Sequence, residues 1–558
     1  MKTKASHTLL AIIIFTFILR VPTLIEPHWL ADEGLFAAAA QLWTNSAKLY
    51  RDIWINVPPG IFFVYKLGYL LKQASGIDLL FWTKLAACMA VALTQIALCK
   101  ISLLFLEGDR LNSSNRISDI SRLPSNPSSQ QSKLPSALLA PALYGLLTSL
   151  PFWEGYMANS EIFMVAFSTW GIYIIVKSLS PIASSGNEGA TGDEKLQPKA
   201  GPPLAEKIIS FLLIGAFLLG CALLFKAVAI AEILMGFTLL LFSNPNKKRQ
   251  KARQLLIYIG GITLPIILIC LFFLWQGTLD NFIQSNLAFN LYYTSLPLQN
   301  ANELFTINLA RAVIILGAIF FHWQNRSLTN IAFCWLLFSA VGASLGLRPF
   351  LHYLIPVFVP LGLLTTIGVS NANLSRRINS ATTSSPTPPV NCLLIIAYCL
   401  LLLIPINQKF RLTESVPFHF DSFNYYSNSI NFASGKKTQA EYNNFFGDHV
   451  NTNSNITSFM DTQKPGRIFI LTGNREPWLY YELAQHELKP ATPYLSYFFY
   501  EIVPDTLDQT LQQLTTNPPE YIITHPNMPH YNKLRNLLKQ KYQLMTCIDD
   551  FEIWQQIN

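Results

Sequence analysis

The chain has 558 residues, of which 51% are hydrophobic and only 13% charged. A soluble domain carries about 25% charged residues, so this composition, with a mean hydropathy of +0.31, excludes an ordinary soluble enzyme and points to a chain that crosses a membrane many times. The formal net charge of +8 is modest for this length and is read by position, not as a nucleic-acid signal.

The N-terminal segment MKTKASHTLLAIIIFTFILRVPT has a basic start and an apolar core but no small-x-small cleavage site, so it is expected to stay as a first helix. It leads into EPHWLADEGLFAAAAQLW (26–43), where Asp32 and Glu33 stand side by side just after the span. A helix needs roughly 20 apolar residues to cross the hydrocarbon core, and on that ruler about eleven spans are expected. They begin near Leu9, Leu79, Leu134, Glu161, Ile208, Ala227, Leu255, Thr306, Thr329, Leu351 and Cys392. The run VPPGIFFVYKLGYLL (57–71) opens on two prolines, carries Lys66 and is too short to span, which makes it an interfacial segment.

Charge supports that choice, because cytoplasmic loops are enriched in Lys and Arg. With 57–71 left out of the count, one side collects Lys2, Lys4, Arg110, Arg116, Arg122, Lys133, Lys195, Lys199, Lys207, the run NKKRQKAR (246–253), Arg376 and Arg377. The N-terminus is then inside and the C-terminus outside. The inside loops 107–133 and 178–207 are rich in Ser, Asn, Pro and Gly and read as flexible. Beyond the last span the chain turns polar, and two parts follow: a membrane part, 1–405, with a first outer loop at 26–78, and an outer part, 406–558. In the latter GRIFILTG and EYIITHP read as strands, REPWLYYELAQHEL and YNKLRNLLKQKY as helices, and LMTCIDDFEIWQQ as a closing hairpin. The predicted fold is an α-helical polytopic membrane protein with a small extracytoplasmic α/β domain.

Of the eight cysteines, only Cys547 lies in the polar C-terminal part, which therefore cannot close a disulfide alone; the rest sit in or beside apolar runs. No Cys/His metal spacing occurs. On the topology above, the unusual polar residues converge on the outer side. They are Asp32 and Glu33; Glu154, Asn159 and Glu161 in PFWEGYMANSEIF; Lys226 in LLFKAVAI; Arg311 early in its span; and Arg348 and His352 in RPFLHYLIP. Each has a plainer role. Asp32 is a good helix N-cap, Glu161 a first-turn acid favoured by the helix dipole, Lys226 and Arg348 can snorkel to headgroups, and His352 can be a hydrogen-bonded helix residue. Those separate roles leave the shared side unexplained, and charges near the bilayer are rare unless they pair or line a cavity.

Acids and cations gathered at one membrane surface under a soluble domain suit group transfer from a lipid carrier. Such a site can bind the phosphate of a polyprenyl-phosphate sugar through Lys226, Arg348 or Arg311, while Asp32 takes the proton of an acceptor hydroxyl. Fixed cations then meet the charge growing on the departing phosphate. A divalent cation could share that task, although no ligand cluster demands one.

In this respect the chain resembles the GT-C glycosyltransferases of the protein-O-mannosyltransferase and aminoarabinose-transferase superfamily. The residues carrying the likeness are ADEG after the first span, PPGIFFVYKLGYLL, NSEIFM, LLFK and RPFLHYLIP, in order over about residues 1–370. The resemblance implies Asp32 as base, Glu33 and Glu161 organising the acceptor or a metal, and Lys226 and Arg348 facing the donor phosphate. With the outer-side residues added, the expected site of an inverting transfer has Asp32 and Glu33 as catalytic acids, Glu161, Asn159 and Glu154 organising the acceptor or a metal, and Lys226, Arg348, His352, Arg311 and Arg51 toward the donor phosphate. One position departs. Relatives commonly have a lysine just before the double proline, where this chain has Val57, which leaves Arg51, Lys66 or Lys84 to replace it. The implied partners are a polyprenyl-phosphate-linked sugar, a glycolipid, polysaccharide or protein acceptor, and membrane lipid, with no nucleic acid. The rival class is a transporter or flippase of lipid-linked saccharides. Its usual marks are inverted repeats and polar residues at the bilayer midplane, which this sequence lacks.

Overall fold

A computed structural model describes residues 2–116, 134–179, 204–243, 248–296, 301–324, 328–346, 350–379, 422–463, 466–473, 476–484, 488–528 and 531–557. Among these, six stretches are long and apolar enough to cross a membrane: Ser6–Ile25, Leu79–Leu106, Ser160–Leu179, Lys248–Gln276, Phe305–Trp323 and Leu351–Ser370. They lie in helices α1 (Lys2–Arg20), α4 (Leu79–Arg116), α6 (Ser160–Leu179), α9 (Lys248–Gln276), α10 (Ala301–Gln324) and α12 (Ile355–Asn379). Three further expected spans are shorter apolar helices, Ile208–Leu223, Ala227–Phe242 and Thr329–Ser344, within α7 (Leu204–Leu223), α8 (Ile230–Phe242) and α11 (Leu328–Ser344). The span expected from Leu134 is broken into Leu134–Ala137 and α5, Leu139–Ser149. The span expected from Cys392 lies outside the described residues.

The membrane-facing surface follows from which large apolar side chains are left exposed among the described residues. Helix α9 leaves Leu256, Ile267, Leu271, Leu274 and Trp275 exposed, and α10 leaves Phe305, Leu309, Val313 and Leu316 exposed. Apolar rows of that length on a helix, whose backbone groups are bonded within the helix apart from its ends and the carbonyl facing Pro265 of α9, belong in hydrocarbon. By contrast, α6 is mostly buried at the centre of the bundle, where Glu161 opens its first turn.

Residues 57–71, kept out of the span count, fall on α3 (Gly60–Ser75), which ends on Gly76 in the left-handed region. One face of α3, with Ile61, Phe62, Tyr65 and Tyr69, is buried, while Phe63, Leu67, Leu70 and Leu71 are exposed. Ahead of it, α2 (Ala31–Thr44) is buried along nearly its whole length and carries Asp32 and Glu33 in its first turn.

The C-terminal part, expected outside the membrane, forms a domain (the outer domain) on a five-stranded sheet of order β2-β1-β3-β5-β4. Strands β1 (Arg467–Leu471), β2 (Lys489–Pro490) and β3 (Tyr521–Thr524) are parallel. The hairpin β4 (Tyr542–Ile548) and β5 (Phe551–Gln556) closes the sheet antiparallel against β3. The strands, the hairpin and the helices read from sequence are all present, with α15 (Glu476–Leu483) and α17 (Tyr531–Lys541) matching the two expected helices once α13 (Ser422–Ala433), α14 (His449–Gln463) and α16 (Thr506–Thr516) are counted. None of α13, α14 and α16 was expected; the first two are rich in Asn, Ser and Thr, which prefer caps and turns to helix interiors.

This domain is seated on the first outer loop. His28 stacks on Trp478 with ring centroids 4.3 Å apart, and its two ring nitrogens lie 2.8 Å from Glu482 and 3.3 Å from Asp78. The Lys72 ammonium donates to the Tyr481 hydroxyl at 2.9 Å, and the Trp54 amide donates to the Pro493 carbonyl at 2.8 Å. Burial alone would depress the His28 pKa, but the Asp78 and Glu482 carboxylates outweigh it and raise it to about 9. The sign follows from that direction. Stability from this contact is fully present below the ordinary His value of 6.5 and is lost as pH rises through about 9. The expected loss is roughly 3 kcal/mol. Thermal unfolding of the protein in lipid nanodiscs at pH 6 and pH 9.5, compared with His28→Phe, checks this: only the wild type should lose the increment.

Candidate active site

Four segments distant in sequence meet at the expected outer surface: the first turn of α2, the 151–159 loop, the turn between α7 and α8, and the Leu351–Leu354 turn before α12. Glu161, fully buried, receives Lys226 Nζ at 2.9 Å on Oε1. His352 stands between two acids, with Nδ1 2.5 Å from Glu154 and Nε2 3.7 Å from Glu161. Glu154 reaches it from a left-handed residue (φ 55°) that caps the Pro151–Trp153 turn. Asn159 is buried, and its side-chain oxygen accepts from the Ser160 amide at the start of α6.

Asp32 differs from these residues. It is exposed and has no hydrogen-bond or ion-pair partner among the described residues, yet His352, Lys226, Glu161 and Glu154 all lie within electrostatic reach of it. The protein wall around the carboxylate keeps part of the solvent away from it, although the side chain still reaches water, and this raises its pKa; His352 and Lys226 oppose that rise, and the two glutamates add to it. A carboxylate with raised basicity and no partner is chemically able to accept a proton. Lys226 is the matching cation. Burial lowers its pKa, but Glu161 and the Tyr353 ring, 4.9 Å from Nζ, more than reverse this. Its side chain is 21% exposed against 0% for Glu161, so the ammonium can meet a ligand while the carboxylate cannot.

Glu33, although adjacent to Asp32, is turned into the protein. It accepts the Ala158 amide at 2.9 Å and lies 3.3 Å from Lys84. Lys84 also pairs with Glu26, whose carboxylate is bonded by Tyr425 and, at 3.3 Å, by Trp29. The net effect of burial, opposed by Lys84 and reinforced by Glu26, is a raised Glu33 pKa. The sequence offered one signal for this network, a lone lysine in the apolar run DLLFWTKLAA.

Other expected site residues lie elsewhere. Arg311 is bound to Asn308 and to Ser344 at the end of α11. Arg51 pairs with its neighbour Asp52 at 2.7 Å. Arg348 lies outside the described residues. Neither Lys66, which sits 4.2 Å over the Trp43 ring, nor Lys84 is available to replace the lysine missing at Val57. That loop still touches the site, because the Gly60 amide donates to the Leu224 carbonyl at 2.8 Å. A Cβ at Gly60 would come within 2.7 Å of that carbonyl, so the approach requires glycine. Among the described residues no group of three or more His, Cys, Asp or Glu is placed to hold a metal ion.

No family model matches the chain, and no curated protein matches it by sequence. Solved structures do. The chain is similar to ArnT from Cupriavidus metallidurans bound to undecaprenyl phosphate, with a TM-score of 0.53, 13% identity, and coverage of 99% of this chain and 98% of that one. Weaker likenesses join it to the archaeal oligosaccharyltransferase AglB from Archaeoglobus fulgidus (TM-score 0.43, 12% identity, 99% and 74% covered). Another is the arabinofuranosyltransferase AftD from Mycobacteria (TM-score 0.45, 12% identity, 99% and 40% covered). The fold is of the GT-C type, that of an integral membrane protein.

Proposed function

We propose that this chain is an integral-membrane glycosyltransferase that moves a sugar from a polyprenyl-phosphate donor to an acceptor hydroxyl, with inversion, on the extracytoplasmic face. The observation that carries this reading is the unpaired Asp32 beside a cluster whose other described charges are all paired. ArnT, the neighbour at TM-score 0.53, was solved with undecaprenyl phosphate, and we extend that ligand class to this chain.

In the reaction Asp32 accepts the proton of the acceptor hydroxyl as its oxygen attacks the anomeric carbon. The bond from that carbon to the phosphate oxygen breaks, and the lipid phosphate leaves with the electron pair. Lys226, the half-buried cation of the cluster, meets the charge that grows there. Glu161 fixes the ammonium, and His352, between Glu154 and Glu161, fixes Glu161. Asp32, Glu154 and Glu161 outweigh Lys226 and a protonated His352 by one charge, so an incoming phosphate calls for a further cation. Arg348 is our candidate. The Lys and Arg of the loops on the opposite side support a cytoplasmic location for that face, and the outer domain over the site bears on acceptor choice.

The test uses purified protein in lipid with a panel of radiolabelled polyprenyl-phosphate sugars. Consumption of one donor, dependent on acceptor, supports the reading; passage of label across sealed vesicles without cleavage would favour a transporter instead. The pH profile adds a second check. Asp32 must be ionised to work, so activity is lost as pH falls through its raised pKa. The acid limb of kcat/KM should therefore lie above the ordinary Asp value of 3.8.

A further inference from the structure

Asp32 has no side-chain partner among the described residues, so its position is set by its backbone, and that backbone is held from outside the membrane part. Trp478, on α15 of the outer domain and buried, donates its indole N–H to the Leu30 carbonyl at 2.7 Å. The same carbonyl accepts the Gly34 amide at 3.0 Å to close the first turn of α2. Over Gly34 the indole lies so close that a Cβ there would fall 2.9 Å from three of its ring atoms. His28, two residues before Leu30, stacks on the same indole with its plane 3° from parallel. One side chain thus touches the chain at 28, 30 and 34, on both sides of Asp32.

The contact is itself anchored. Glu482, one turn beyond Trp478 on the same helix, binds His28 at 2.8 Å, and Asp78 at the start of α4 takes the other ring nitrogen at 3.3 Å. Tyr481 packs edge-on against both rings.

Resting on the reading of Asp32 as base, we infer that Trp478 is a positioning residue for it: the outer domain fixes the helical turn from which Asp32 projects and is a working part of the site. An error of about 1 Å in a reacting group can cost about 100-fold in rate, and a turn freed at both Leu30 and Gly34 can move that far. The role requires no contact between Trp478 and substrate.

The experiment uses the full chain in nanodiscs and compares wild type with Trp478→Phe, which keeps the ring over Gly34 and removes the N–H. Gly34→Ala, which forces the turn off the indole from the other side, is a second variant. Amide hydrogen exchange is followed over residues 30–36 and, as an internal control, over β3 and β5; donor turnover is measured at saturating and limiting donor. We expect exchange at 30–36 to quicken about tenfold in each variant, about the factor for one lost hydrogen bond, with the sheet unchanged. The kcat should fall about 10- to 100-fold with donor KM within about twofold of wild type, since the donor phosphate contacts are untouched. Unchanged exchange and unchanged kcat overturn the inference. So does faster exchange throughout the sheet with kcat and KM altered together, which marks a purely structural role. If the wild type turns over no donor, the catalytic reading of Asp32 is what fails, and the exchange at 30–36 still decides whether Trp478 holds the turn.

Discussion

Asp32→Asn is expected to lower donor turnover by about 10²–10⁴-fold, the usual contribution of a positioned general base, while leaving the protein folded. Asn has the size of Asp and can still receive hydrogen bonds, but it cannot take a proton. Because Asp32 has no partner among the described residues, the change strands no buried group, so little stability is at stake. The neighbouring substitution Glu33→Gln is the informative contrast. Glu33 is bonded to Ala158 and Lys84 inside the protein, so its neutralisation should lower stability and leave the acid limb of the pH profile in place. Parallel measurement of turnover and thermal unfolding separates the two acids. Loss of turnover with Glu33→Gln at wild-type stability, and none with Asp32→Asn, would reverse their roles.

That contrast shows where sequence reading stops. Adjacent residues on a helix point about 100° apart, so Asp32 and Glu33 must diverge. Which of them faces water depends on where Lys84 and the Ala158 amide, the partners of Glu33, come to lie, 51 and 125 residues away from it in the chain. The apolar runs and the strands of the outer domain were legible because each is a local pattern. The convergence of Glu154, Glu161, Lys226 and His352 was legible only as a shared side of the membrane. The pairing of Glu161 with Lys226, and of His352 with both acids, is a product of packing. Arg311 and Arg51 fit the same side-based argument, yet both are taken by partners a few residues away or across one helix contact. No pattern in the sequence marked Trp478, because an indole near the start of a helix reads as ordinary core.

Lys84→Met should have the largest effect on stability, a loss of about 3–5 kcal/mol. The lysine side chain is 0% exposed, and the carboxylates of Glu26 and Glu33 that flank it are 0% and 2% exposed. Methionine matches the length of the stem but leaves two acids buried with no cation between them. The remaining donors to Glu26, the Tyr425 hydroxyl and the Trp29 N–H, and the Ala158 amide to Glu33, satisfy oxygens without supplying charge. The acids must then either take up protons or draw water into the contact between α2, α4 and the helix of Tyr425. Either route separates the outer domain from the membrane part, because Tyr425 lies on α13. The triple variant Lys84→Met, Glu26→Gln, Glu33→Gln removes the charges together and should recover most of the loss, since the cost lies in unpaired charge and not in the absence of a salt bridge. Thermal unfolding in nanodiscs of the single and triple variants measures this directly. A single variant as stable as wild type would mean that the three groups are solvated in the membrane-bound protein. A triple variant no better than the single would mean that the ion pairs themselves, and not charge neutrality, join the two parts.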